Sequence, residues 1–149
     1  MTTDTELEIH RALRESQNKH TYFLLAVVGA AIALVVNQTQ GASLSWSQLP
    51  LAAAVLAWAL SFLFGCRNRA YVSSGLYTNA ALFDVNAGRH KLAGTNPEAI
   101  QVARETLHEI FEDQSSKANR FANLQFRFLV AGAVLYVAWH ILEMYLRTI

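Results

Sequence analysis

Residues 21–66 read TYFLLAVVGAAIALVVNQTQGASLSWSQLPLAAAVLAWALSFLFGC, and in these 46 positions there is no Asp, Glu, Lys, Arg or His. A soluble element keeps one polar face toward water, so a gap of this length excludes a plain soluble globule. Two apolar runs lie inside it. Thr21 to about Val36 gives a first span that rises ~24 Å, slightly short of a ~30 Å hydrocarbon core, so Asn37–Thr39 fall in the far interface. Leu49–Cys66 gives a second, with Pro50 in the first turn, where its missing N–H costs no hydrogen bond. The connector between them is rich in Gln, Ser and Gly and places Trp46 as an interfacial anchor.

Outward from this stretch, Phe128 to about Leu146 forms a third apolar run, bracketed by Arg127 and Arg147. Arg11, Arg14 and Lys19 precede span one; Arg67 and Arg69 follow span two; Lys117, Arg120 and Arg127 precede span three; the connector has no base. The excess of Lys and Arg on one side predicts a cytoplasmic N-terminus and 67–127 segment, with the C-terminus outside. The first twenty residues mix acids and bases and do not resemble the n-region of a cleaved signal.

Across all 149 residues, 53% are hydrophobic, 15% are charged, and the formal net charge is +1. That balance argues against a general nucleic-acid binder. The single cysteine, Cys66, excludes an internal disulfide framework.

Between Arg67 and Arg127 lie eight bases and six acids, so this segment faces water. Val72, Leu76, Ala80, Phe83 and Ala87 recur at helical spacing, and Gly88 is the expected stop. Thr95-Asn96-Pro97-Glu98 reads as a helix start, with Thr95 or Asn96 as N-cap and Glu98 for a capping box. The following helix carries Ile100, Ala103, Leu107, Ile110, Phe111, Ala118, Phe121 and Leu124 on one face. No Pro or Gly separates it from span three, and Asp113-Gln114-Ser115-Ser116 is the expected kink. The N-terminal segment, opened by Thr5-x-x-Glu8, has a weaker stripe at Ile9 and Leu13.

The expected fold is therefore an all-α membrane protein. Residues 1–20 form an amphipathic cytoplasmic helix and 21–66 a two-span hairpin. Residues 67–127 form a cytoplasmic helical hairpin continuous with spans two and three, and 128–149 the third span. Apolar seams on two paired helices need further helices, and identical copies supply them, so a homo-oligomer in a lipid membrane is expected. Ala53, Ala57, Ser61 and Gly65 put a small residue at every fourth position of span two, a face suited to close helix contact.

Two constellations carry candidate chemistry. His140 and Glu143 share one face of span three, where ionisable groups are costly and point to function. In an oligomer they would form a titratable ring in a pore; the plainer reading is an interfacial anchor in which Glu143 pairs with Arg147. Arg67, Arg69, Arg120, Asn123 and Arg127 form a basic set at the inner membrane edge, with guanidinium forks suited to phosphate. Asn68, Tyr71, Tyr77, Asn119 and Asn123 would stack on or hydrogen-bond bases there. The plainer reading is topology and contact with anionic lipid. Arg89-His90-Lys91 is a second basic spot, read as a solvated loop.

Glu105-x-x-His108 matches half of a di-iron motif, but the partner motif is missing and the pair reads as a solvated face. There is no nucleophile elbow, Gly-rich phosphate loop or HExxH, so catalysis, metal and cofactor are not expected.

Two spans around an uncharged turn, Arg67-Asn68-Arg69 at the exit, a helical hairpin and a third span resemble the small membrane effectors of bacterial anti-phage operons. SLATT-type effectors and the oligomeric channel effector of the Hailong system are similar in style and size, although the third span departs from plain two-span SLATT. The resemblance implies a multimeric pore that disrupts the inner-membrane potential. It also implies gating by a nucleotide or oligonucleotide ligand and a cytoplasmic nucleotidyltransferase partner. The alternative is a non-conducting membrane adaptor that recruits a cytoplasmic partner through the hairpin.

Overall fold

The structure, a computed structural model, describes residues 2–41, 46–89, 96–146 and 148; within α1 the side chains of 2–18 and 20 lie outside the description. Among the described residues the chain is almost entirely helical, without strands, and three helices are long and apolar enough to cross a membrane. They are α1 (Thr2–Gln38), α2 (Leu49–Asn86) and α3 (Pro97–Leu146), with a 3₁₀ turn at Trp46–Gln48 before α2. The helix of the N-terminal segment starts at Thr2, ahead of the expected Thr5 start, and runs into the first span without a break. The Ile9 and Leu13 stripe lies outside the described side chains.

The ends of the helices follow from local chemistry. At the end of α1, the Thr39 N–H and hydroxyl donate to the Val35 carbonyl at 3.0 and 2.9 Å, and Gly41 takes the left-handed region (φ 87°). At the end of α2, Arg89 N–H donates to Asp84 O and Gly88 N–H to Val85 O, the paired bonds of a Schellman stop. Gly88 supplies the positive φ of 67° that this stop needs. At the start of α3, the Asn96 side-chain oxygen accepts the Glu98 N–H at 3.0 Å, with Pro97 as the first helical residue. Asn96 is thus the N-cap, which puts Glu98 at the second helical position, where it meets the helix dipole rather than closing a capping box. Thr95, the other N-cap candidate, lies outside the described residues, as do His90 and Lys91.

The chain folds as two compact units, one of Met1–Gly65 with Gln125–Ile149 and one of Cys66–Leu124. In the first, Val28 and Val35 of α1 meet Leu51 and Trp58 of α2, with Leu129, Tyr136 and Trp139 of α3 packed against them. Among its described side chains, Phe23, Leu56, Leu63, Val134 and Ile141 are all more than half exposed. Such a surface suits a surrounding of hydrocarbon rather than water.

In the second unit, α2 and α3 run antiparallel: Tyr71 meets Phe121, Ser74 and Thr78 meet Gln114, and Asn86 meets Arg104. Gln114 bridges two hydroxyls, accepting from Thr78 at 3.0 Å and donating to Ser74 at 2.9 Å. α3 continues as helix through Asp113–Ser116, where a kink is expected, and of the four residues Gln114 is the one turned inward. Val85 and Ala118 are buried in the same unit, whereas Leu76, Ala80, Phe83 and Ala87 point outward.

Candidate functional site

The small face of α2 in the first unit is a contact within one chain. Ser61, fully buried, donates its hydroxyl to the Gln125 backbone carbonyl at 2.8 Å. One turn on, a Cβ at Gly65 would lie 2.7 Å from Gln125 Nε2 and 2.8 Å from Leu25 Cδ2, so a larger residue there would have to displace the ends of both side chains. One turn back, Trp58 Nε1 donates to the Leu129 carbonyl at 3.2 Å. Its indole fills the space beside Gly132, where any Cβ would collide with the ring. α2 thus grips two carbonyls one turn apart on α3, at residues 125 and 129, through side chains three residues apart.

Gln125 is 1% exposed, and its Nε2 has no acceptor among the described residues. Gln125 and Gly132 escape a reading of sequence alone because the residues that define them are 64 to 74 positions away. The usable signals were a lone glutamine at the head of an apolar run and a lone glycine inside it.

At the other end of the first unit an aromatic group forms around Tyr136. Its ring centre lies 5.9 Å from Trp58, 5.7 Å from Trp139 and 6.5 Å from His140, the last nearly parallel at 11°. The Tyr136 hydroxyl donates to the Gln38 side chain at 3.0 Å, tying α3 to the end of α1. Trp139 Nε1 is buried with no acceptor among the described residues. His140 itself is exposed and Glu143 half-buried. Arg147, the expected partner of Glu143, lies outside the described residues.

The basic set divides between the units. Arg67, Arg69, Arg120 and Asn123 belong to the second, and Arg127 to the first, where it is exposed. Within the second unit, the Tyr71 and Phe121 rings stack at 5.5 Å and 8°, which fixes the local register. Arg67 stands one turn before Tyr71, and Asn123 just after Phe121, so both sit at the same end of the antiparallel pair. Arg120 adjoins Phe121 in sequence. Arg67, Arg120 and Asn123 are exposed, so the guanidinium forks at 67 and 120 face solution, and Arg69 is half-buried. Tyr71, assigned to bases by sequence, has one ring face covered by Phe121. Tyr77 is 79% exposed and further along α2. Lys117 joins this end: its ammonium meets Asp113 at 2.7 Å, and that hydrogen bond and charge raise its pKa above the usual lysine value.

Elsewhere in this unit, an open groove of about 570 Å³ is lined by Asn86, Pro97, Ile100, Gln101, Arg104 and Glu105. Arg104 Nε donates to Asn86 there at 2.9 Å. His108 pairs with Glu112 on its own helix at 3.3 Å, both exposed. Among the described residues, no group of three or more His, Cys, Asp or Glu side chains is placed to hold a metal.

Comparison of the chain with protein-family models, curated proteins and solved structures gives no match.

Proposed function

We propose that the protein is a homo-oligomeric pore or ion channel of a bacterial inner membrane, with the N-terminus and the 67–127 segment in the cytoplasm and the C-terminus outside. It is a ligand-gated effector that disrupts the membrane potential in anti-phage defence. Arg67, Arg69, Arg120, Asn123 and Arg127 bind an anionic, nucleotide-type ligand, and a cytoplasmic nucleotidyltransferase partner would supply it. His140 and Glu143 line or gate the pore.

The observation that supports this reading best is the concentration of exposed guanidinium and carboxamide groups at one end of the second unit, around the Tyr71–Phe121 stack. A solvated ion-pair face has no need to gather bases around an aromatic step; anion recognition does. The exposed apolar side chains of the first unit and three helices long and apolar enough to span support the membrane setting.

The test is reconstitution of the purified protein in liposomes, with ion flux recorded with and without cyclic dinucleotides and short oligonucleotides. The reading expects flux that responds to one of these, and a response lost when Arg67 and Arg127 are both changed to alanine. Liposomes that stay ion-tight under every ligand sink the channel and leave the membrane adaptor. A double variant that responds like wild type sinks the site.

A further inference from the structure

Gln125 is the residue at which α3 enters the first unit, and it is 1% exposed. Its carboxamide lies against Gly65 and Leu25, with Nε2 only 2.7 Å from where a Cβ on Gly65 would stand. One of these walls is hydrocarbon and the other has no side chain. The neighbouring pair, Phe64 and Phe128 with ring centres 5.3 Å apart, is apolar as well. Ser61 is close, but its hydroxyl hydrogen is committed to the Gln125 backbone carbonyl. Nε2 therefore has no acceptor among the described residues. An N–H in this position has given up water and gained no partner in exchange.

Further along α3 the contact with α2 is firm. Trp58 is bonded to the Leu129 carbonyl and fills the notch at Gly132. The orphaned amide thus sits at the end of the packed contact, where one helix can part from another without disturbing the rest. Water is close at hand. Arg127 stands two residues on and is exposed, and a guanidinium in a spanning chain keeps its head at the wet interface.

We propose that the first unit opens locally at this end, α3 parting from α2 at Ser61, Gly65 and Gln125 to admit a water molecule that accepts from Gln125 Nε2. The dry packing is held by the Ser61 bond and the Phe64–Phe128 contact and opposed by the unpaired amide. The open packing gives up those contacts for a hydrated amide. The device belongs to one chain and requires no second copy, pore or ligand.

The test is electron paramagnetic resonance on the full chain in nanodiscs, in a Cys66→Ser background, with nitroxide pairs placed on exposed positions. Leu63→Cys with Phe126→Cys reports the Gln125 end, and Leu56→Cys with Val134→Cys the firm end. Dilution with unlabelled chain restricts the reading to pairs within one molecule. Two separations are expected at the first pair and one at the second. Gln125→Met removes the orphan at similar size and is expected to lower the wider population about tenfold, the factor that ~1.4 kcal/mol commands. Gln125→Leu is expected to do the same. In the wild type, the Gln125 side-chain amide protons are expected to exchange with water, as followed by NMR in the same nanodiscs. A single separation at 63 and 126, equal populations in wild type and both variants, or amide protons that do not exchange overturn the proposal.

Discussion

The indole of Trp58 lies where a side chain on Gly132 would have to go, and its N–H reaches past that residue to the Leu129 carbonyl. The pair is a knob and a notch on two helices, 74 residues apart in the chain. Gly132→Ala therefore forces Trp58 out of place. Overpacking of this kind costs about 1–3 kcal/mol, read as a lower midpoint of thermal unfolding in detergent. Trp58→Leu removes both indole and donor, so combining it with Gly132→Ala should cost less than the sum of the two; strict additivity would contradict the contact.

Gly65→Ala meets the same kind of obstacle from two sides, Gln125 Nε2 and Leu25 Cδ2. Both are ends of flexible side chains, so a loss of about 1 kcal/mol is expected, while Gly29→Ala, with open space around it inside α1, should leave stability unchanged or raise it by up to ~1 kcal/mol. Both are measured by the same unfolding assay.

Gln125 presents the opposite case. Its Nε2 is buried with no acceptor among the described residues, a condition that costs ~1–3 kcal/mol. Gln125→Met removes the orphan while nearly keeping the volume, and the Ser61 bond goes to the backbone and survives. The variant should be as stable as wild type or more so. Ser61→Ala, by contrast, deletes the bond itself and should lose about 0.5–1.5 kcal/mol.

Gln114 bridges two hydroxyls across the second unit, so Gln114→Leu leaves Ser74 and Thr78 facing an apolar side chain. Amide exchange of residues 72–80 should speed up, with the first unit unaffected. No change in exchange there would show that the bridge does not set the register.

The Lys117–Asp113 bond has a defined pH window. Lys117 has its pKa raised by Asp113, so its contribution is complete below the usual lysine pKa and fades as pH rises through the elevated one. Between pH 6 and 9, Lys117→Met and wild type should show parallel stability profiles, and only in strong alkali should the difference between them shrink. A difference that varies within the neutral range would refute the pairing.

What the sequence made legible depended on how local each cause is. The three apolar runs, the Gly88 stop and the Asn96-Pro97 start each rest on neighbours within a turn or two, and the helices show them. The four-residue spacing of Ala53, Ala57, Ser61 and Gly65 marked a contact face, but its partner, the α3 backbone at Gln125 and Leu129, lies across the fold. At Asp113–Ser116 the hydroxyl partners of Gln114 could not be read, since Ser74 and Thr78 are 36 to 40 positions earlier. The basic set was visible as a stripe of Arg and Asn. That Tyr71 spends one ring face on Phe121 was not, since nothing local in either residue announces a stack.

The grip of Trp58 and Ser61 on α3 is directed at carbonyls, which every residue type provides. The constraint it imposes is therefore one-sided. Descendants of this chain can exchange the side chains at 125 and 129 and keep the grip, whereas a change at 58, 61 or 132 breaks it. Drift at 125 and 129, with stasis at 58 and 61 on α2 and at Gly132 on α3, would be the mark this asymmetry leaves on a lineage.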